Sequence, residues 1–379
     1  MADGTVDRMV GLKDWFAELP DPRSSINQRH SLVDVVAISV CGVADGPTAI
    51  FTWAACAKDW LKKYLKLPHG IPSKDCIRRV LQGLQPEAFQ ECFGQWLNSL
   101  IDPAGAKFLS IDGKTLRRSH DRQHQLGALH LVSVWAGEQG LTLGQVATAE
   151  KSNEITAIPL LLDLVDVKDA IVSIDAMGTQ KAIAAKIIDK GGDYVLPVKE
   201  GNQGALEQGV KALLNEALEN DFAGMKVSRH HTRAKHHGRT EQRWYYQINV
   251  PQSLRGLKQW KGLQTLGLVI RTREKDGVET GDVQYFISSL KRNVKKFAKA
   301  VRGHWGIENT CHWSLDMTFR EDENRTRDRN VAENLAWLRR FTLGLLKQHP
   351  SKKHSLVMKR RMAGWNPAFL NEILFATTT

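Results

Sequence analysis

Two spacings of apolar residues alternate along the chain. Through roughly the first hundred residues, apolar positions recur at helical spacing in "SLVDVVAISVCGVADG" and "AIFTWAACAKDWLKKYLKL". "LPHGIPSKDCIRRVLQGL" reads as a turn followed by a short helix with Ser73 as its N-cap, and "PEAFQECFGQWLNSL" as a helix opened by proline. From about residue 107 the spacing shortens. "KFLSIDGKTL", "ALHLVSVWAGEQG" and "LTLGQVATAEKS" predict three strands with short connections, an antiparallel meander. "NEITAIPLLLDLV" then predicts a helix capped by Ser152 or Asn153, and "DAIVSIDAMG" a short central strand. "TQKAIAAKIIDKGG" predicts a helix with Thr179 as cap and Gly191 as stop, and "DYVLPVK" a fifth strand. The order β-β-β-α-β-α-β is the ribonuclease-H-like arrangement, an α/β fold on a mixed five-stranded sheet. Its first and fourth strands are neighbours at the centre.

After Lys199 this order is interrupted. A helix, "NQGALEQGVKALLNEALEND", precedes strand-like segments in "SRHHTRAKHHGRTEQRWYYQINV", "LQTLGLVIRTREKDG" and "VQYFISSL". Helix resumes at "VKKFAKAVRGHWGIENTCHWSLDMTF". The expected division is a helical N-terminal domain over 1–105 and the first part of the ribonuclease-H-like domain over 106–200. A β-rich insertion over 201–293 and a helical part completing that domain over 294–379 follow. Short helices carrying surface Lys and Arg fit either a small DNA-binding domain or a helical cap on the next domain.

Within this frame two apolar strands end on a carboxylate. Phe108, Leu109 and Ile111 lead into Asp112; Ile171, Val172 and Ile174 lead into Asp175. Either aspartate alone reads equally as a turn residue. Two matching strands at the centre of one sheet predict side-by-side carboxylates instead. "HWGIENTCHWSLD" sets His304, Glu308, His312 and Asp316 four apart, one face of a continuous helix, and supplies a third carboxylate in Glu308. Two aspartates and a glutamate make a hard-oxygen site suited to Mg²⁺ or Mn²⁺ and to in-line displacement at a phosphodiester. The rival is zinc on His304, Glu308 and His312, which lacks the H-E-x-x-H spacing and leaves the aspartates unexplained. "HHTRAKHHGR" reads as a solvated or phosphate-facing loop, and Cys311 as a buried thiol.

Composition narrows the partners. Lys and Arg number 53 against 41 Asp and Glu, a formal charge of +12, which favours a polyanion. Five scattered cysteines without a C-x-x-C pair fit a reduced compartment. "MADGTVDRMVGLKDWFAELP" has no basic start followed by an apolar run, and "LVDVVAISVCGVADG" is too short to span a bilayer. A cytoplasmic location is expected.

"SIDGKTLRRS", "HLVSVW", "EKSNEITAIP", "IDAMGTQ", "GDYVLPVKEGNQ", "YFISSL", "HWGIENTCHWSLDMTFREDENRTRDRN" and "ENLAWLRR" together resemble the bacterial insertion-sequence transposases of the DDE superfamily. The H-repeat-associated group is the most similar. The resemblance runs from "LPDPR" to "MAGWNP". It implies a ribonuclease-H-like catalytic domain with a β-rich insertion, two Mg²⁺ or Mn²⁺ ions, and cleavage and joining of DNA at element ends. Asp112, Asp175 and Glu308 are then the catalytic metal-holding carboxylates. Where related transposases surround the glutamate with tyrosine, arginine and lysine, this chain has Val301, His304 and Leu315, so Arg302 and His304 are the expected phosphate contacts. Lys114, Arg117, Arg118, Lys199, Arg239, Arg243, Arg325 and Arg327 are further expected DNA contacts. Trp244 either stacks on a displaced base or is a core tryptophan. Synapsis of two DNA ends implies a homodimer. A metal-dependent nuclease of the same fold and an inactive DNA-binding relic are the competing readings.

Overall fold

A computed structural model of the protein describes residues 14–26, 28–42, 46–100, 108–148, 154–199, 204–236, 238–254 and 256–375. Its principal elements run as follows. Helices α1 (Leu32–Cys41), α2 (Pro47–Cys56), α3 (Lys74–Gly83) and α4 (Pro86–Leu100) precede strands β1 (Phe108–Thr115), β2 (His130–Ala136) and β3 (Leu141–Thr148). Then come α5 (Glu154–Leu164), β4 (Ile171–Ile174), α6 (Lys181–Asp189), β5 (Asp193–Val198) and α7 (Ala205–Glu219). Strands β6 (Val227–His236), β7 (Arg239–Asn249), β8 (Thr265–Lys275) and β9 (Val278–Ser288) follow, and then α8 (Val294–Gly306). A π-helical turn (Ile307–His312) leads to α9 (Trp313–Phe319), α10 (Arg329–Gln348), α11 (Leu356–Trp365) and α12 (Pro367–Phe375). No helix among the described residues is long and apolar enough to cross a membrane.

The chain forms two compact units. One comprises Lys107–Asp112 and Glu154–Ile307. Its sheet has the order β1-β4-β5-β9-β8-β7-β6. β1, β4 and β5 are parallel, with Phe108 opposite Ile171 through Ile111 opposite Ile174. This is the central pairing that the apolar runs predict. The insertion strands are not a separate layer. β9 pairs antiparallel with β5, from Val195 opposite Ser288 to Val198 opposite Tyr285, so the sheet continues past its fifth strand. An apolar β5 left as an edge would be an open template for aggregation; β9 covers it. Phe297 of α8 is fully buried against Phe286 and Tyr245, with ring centroids 5.6 and 6.4 Å away. Gly267 of β8 makes room: a Cβ there would stand 2.2 Å from the Phe297 ring.

The other unit comprises Met1–Ala106, Gly113–Asn153 and Glu308–Thr379. Its N-terminal helices do not stand alone. Phe89 and Phe93 of α4 meet Phe16, Trp96, and Trp337 and Phe341 of α10 in an aromatic core, with Phe93 4.7 Å from both Phe16 and Phe341. The α3 and α10 helices are also stitched by Asn334, whose amide donates to the carbonyls of Leu81 (2.9 Å) and Leu84 (3.0 Å).

Local signals held in several places and failed in others. Ser73 caps α3, accepting from the Cys76 N–H at 3.2 Å, and Gly191 follows α6 with φ +78°. Thr179 does not cap α6: Gln180 occupies that position, and the Thr179 hydroxyl donates instead to the carbonyls of Asp175 and Pro197. Ser152 and Asn153 lie outside the described residues. Through His236 the histidine-rich stretch is not a loop but edge strand β6, paired with β7 from Val227 opposite Ile248 to His236 opposite Arg239. Of the five free cysteines Cys311 is buried, as expected of it, while Cys41, Cys76 and Cys92 are intermediate and Cys56 is exposed.

Candidate active site

Asp112 and Asp175 each follow the last registered pair of two adjacent parallel strands, Ile111 opposite Ile174. The sequence places them there because each apolar run stops at the sheet's carboxyl end, the end at which open α/β sheets bind ligands. Both side chains are partly exposed. One oxygen of Asp175 is in use: Oδ1 accepts the Gly178 N–H at 2.9 Å and closes a turn. Gly178 is required there, since a Cβ would stand 2.2 Å from Ile174 Cγ2 and 2.9 Å from Ile158 Cδ1. Thr179 ties the same turn to β5 through the Pro197 carbonyl at 2.8 Å.

Helix α8 is locked onto these strands by polar contacts. Ser110 donates to the Gly303 carbonyl at 3.2 Å, and Ser173 donates to Leu109 O and meets the Ser110 hydroxyl, both at 3.3 Å. His304 is hydrogen-bonded to the Ser173 backbone, and burial pushes its pKa down to about 4. A neutral, inward ring offers no charge to a phosphate. The expected DNA contact at His304 is therefore replaced by a structural bond two residues before Asp175.

Glu308 is exposed in the π-helical turn, with the buried Ile307 and Cys311 on either side of Glu308, Asn309 and Thr310. The widened turn breaks the four-residue repeat, so His304, Glu308, His312 and Asp316 do not share a face. Burial, with Arg340 and Lys114 nearby, pushes His312 down to about 3, while Glu308 is solvent-facing. Asp316 belongs to a separate network. It accepts from Lys114 at 2.8 Å, and burial raises its pKa against the pull of that lysine. Lys114 also meets Asp322 at 3.1 Å and is only 8% exposed, so its charge is spent inside the protein rather than offered to DNA. Arg117 reaches Asp322 at 3.1 Å from the surface. Below them Glu321 is fully buried on Arg340 at 3.0 Å and Arg339 at 3.9 Å. Arg118, Lys199, Arg325 and Arg327 are exposed.

Strand parity sorts the expected contacts in the insertion. Arg239 and Arg243 share one face of β7 and Trp244 takes the other. Arg243 is buried on the side of α8 beside Glu241, whereas Trp244 stacks on His231 with centroids 4.9 Å apart. Sequence reading missed Glu241 and Arg273 on the α8 side; two-residue alternation from Arg243 points to Glu241, whereas Arg273 stands opposite it only through the β7–β8 register.

Among the described residues no group of three or more His, Cys, Asp and Glu side chains stands close enough to hold a metal. That holds for His304, Glu308 and His312 and equally for Asp112, Asp175 and Glu308. Asp112 and Asp175 offer carboxylate oxygens, the donor chemistry that fits a hard divalent cation.

Two family models match the chain: a Transposase DDE domain over residues 103–345 and a DDE_Tnp_1-associated region over 13–97. Among relatives, YncI of Escherichia coli O157:H7 is 38% identical over 370 residues, covering 96% of this chain and 94% of its own. The H repeat-associated YhhI of Escherichia coli K12 is 36% identical over 376 residues, covering 96% and 97%. Both carry the name transposase. A solved piggyBac transposase synaptic complex with hairpin DNA overlays with a TM-score of 0.42 at 11% identity, covering 100% of this chain and 80% of that one, too weak a likeness to bear on the fold.

Proposed function

The chain belongs to the DDE transposase family, and on that premise we propose that it cuts DNA at the ends of an insertion sequence and joins the freed end to target DNA. The observation that carries this reading is the placement of Asp112 and Asp175 one step beyond a registered pair on adjacent parallel strands. With Glu308 they would hold two Mg²⁺ or Mn²⁺ ions. Such ions, when bound, activate the attacking oxygen and stabilise the leaving one.

The residues' own part is to orient and to hold. The strand-end carboxylates align a water for attack on phosphorus at the element end. The phosphorus–O3′ bond breaks, the water's oxygen stays on phosphorus and its proton passes to O3′, leaving a 3′-hydroxyl and a 5′-phosphate. In the joining step the 3′-hydroxyl oxygen takes the attacking position against a target phosphorus, and a target 3′-hydroxyl leaves. Neither step needs a covalent bond to the protein. The helix carrying Arg302 is held against β1 and β4 by the Ser110, Ser173 and His304 bonds. Exposed Arg117, Arg118, Lys199, Arg325 and Arg327, with Arg239, would contact backbone phosphates. Two chains bridging two ends, and a cytoplasmic site of action, complete the reading.

The test is incubation of the full chain with labelled duplex carrying the sequences that flank its coding region, with Mg²⁺ or Mn²⁺ and with chelator. Metal-dependent nicks and joined products are expected. Nicks that never become joined products would mean a nuclease of the same fold. Binding unchanged by chelator, with no cleavage at any metal concentration, would mean a DNA-binding relic.

A further inference from the structure

The face of the sheet that carries α8 holds more positive charge than the fold needs. The Glu241 carboxylate, only 10% exposed, is met by three arginines. Arg243 reaches Oε1 at 2.5 Å, Arg302 reaches the same oxygen at 3.2 Å, and Arg273 reaches Oε2 at 3.2 Å. Arg271 stands directly across from Arg243 on β8 but is paired with Asp282 at 2.5 Å. A cluster built only for stability would match each cation with an anion, as that neighbour does. Here one carboxylate answers three guanidiniums. Burial first, and the Arg302 charge second, push the Arg243 pKa down, while Glu241 pulls it up.

Exposure is graded across the cluster. Arg243 is buried at 10%, while Arg273 and Arg302 are 37% and 52% exposed. Each of the outer two gives Glu241 one guanidinium nitrogen, Arg273 its Nε and Arg302 an Nη, and each side chain is more than a third exposed. A planar fork fixed on one side and open on the other is the arrangement that takes a phosphate bidentately. Arg302 and Arg273 come from different elements, α8 and β8, so the carboxylate between them sets their spacing.

We infer that Arg273 and Arg302, held in place by Glu241 and backed by the charge of Arg243, form a clamp for one backbone phosphate of DNA. This rests on the reading that the chain acts on DNA and adds a defined contact to it. Arg302 sits on the helix that is bonded to β1 and β4 through Gly303 and His304, next along the chain. The clamp is therefore fixed relative to the paired stretch of β1 and β4 that Asp112 and Asp175 follow.

The experiment measures binding of the full-length protein to a labelled duplex of arbitrary sequence across a salt series. Wild type is compared with the double variant Arg273→Ala/Arg302→Ala and with Lys261→Ala, an exposed lysine that pairs with Asp189. Loss of one phosphate contact lowers the magnitude of the log K against log salt slope by about 0.9, which is roughly eightfold in affinity at 0.1 M salt. The double variant should show that loss and Lys261→Ala should not. Arg273→Lys/Arg302→Lys keeps the charges and discards the forks; it should keep the slope while binding more weakly, and melting curves verify that each variant is folded. A wild type that binds no duplex overturns the DNA reading and the clamp with it. A wild type that binds, with a double variant of unchanged slope, overturns the clamp alone.

Discussion

Asp175 has one job in the fold and, on the proposed reading, a second, and one pair of substitutions separates them. Its Oδ1 accepts the Gly178 N–H at 2.9 Å, which is a turn's requirement and is indifferent to charge. Holding a cation needs the negative charge. Asp175→Asn keeps an acceptor oxygen at that position and removes the charge; Asp175→Ala removes both. A partly buried hydrogen bond is worth about 1 kcal/mol net, so the alanine variant should lose about that much stability and the asparagine variant under about 0.5 kcal/mol. Loss of a ligand that supports transition-state charge costs several kcal/mol, and each 1.36 kcal/mol is about tenfold in rate. Both variants should therefore cleave roughly a thousandfold more slowly. The assay is single-turnover nicking and joining of labelled end DNA in Mg²⁺ or Mn²⁺, with urea denaturation and DNA binding measured on the same preparations. An asparagine variant that cleaves within about threefold of wild type, a difference under 1 kcal/mol, would refute the reasoning. Asp175 would then be a turn residue and nothing more.

Two other outcomes follow from the packing around this aspartate. His304 titrates at about 4 in the folded protein against 6.5 when free, so the unfolded chain binds more protons between those values. Its contribution is whole above pH 6.5 and is lost as pH falls toward 4. At pH 5 the deficit is about 2 kcal/mol, visible as a drop in the urea midpoint that His304→Gln should lessen. Gly178→Ala would force a methyl to 2.2 Å from Ile174 Cγ2, and overpacking of this kind costs roughly 1–3 kcal/mol. Thermal unfolding of that variant should show the loss, and a melting temperature equal to wild type would mean that the turn relaxes freely.

Much of the sheet that carries the two aspartates was written in local pattern. Short apolar runs bounded by polar turns can hardly be anything but strands, and two of them ending on Asp112 and Asp175 mark the carboxyl end of a sheet. The cap at Ser73 and the stop at Gly191 are likewise local, because each depends on one residue's own hydrogen bond or backbone freedom. The pairing of β1 with β4 was legible only through the order of elements, and the order was enough.

What sequence could not determine depends on partners distant in the chain. That β9 continues the sheet at β5 depends on burying an edge about ninety residues away. Lys114 looks like a phosphate contact beside an aspartate until Asp316 and Asp322 arrive from about two hundred residues further on and take its charge. Four-residue spacing promised one face for His304, Glu308 and His312; a single π-helical turn, stabilised by burial of Ile307 and Cys311, overrode it. The sequence by itself determined where the two strand-end carboxylates stand. Tertiary structure decided which charges remain for a partner, because a charge is free only when no other part of the chain has folded onto it.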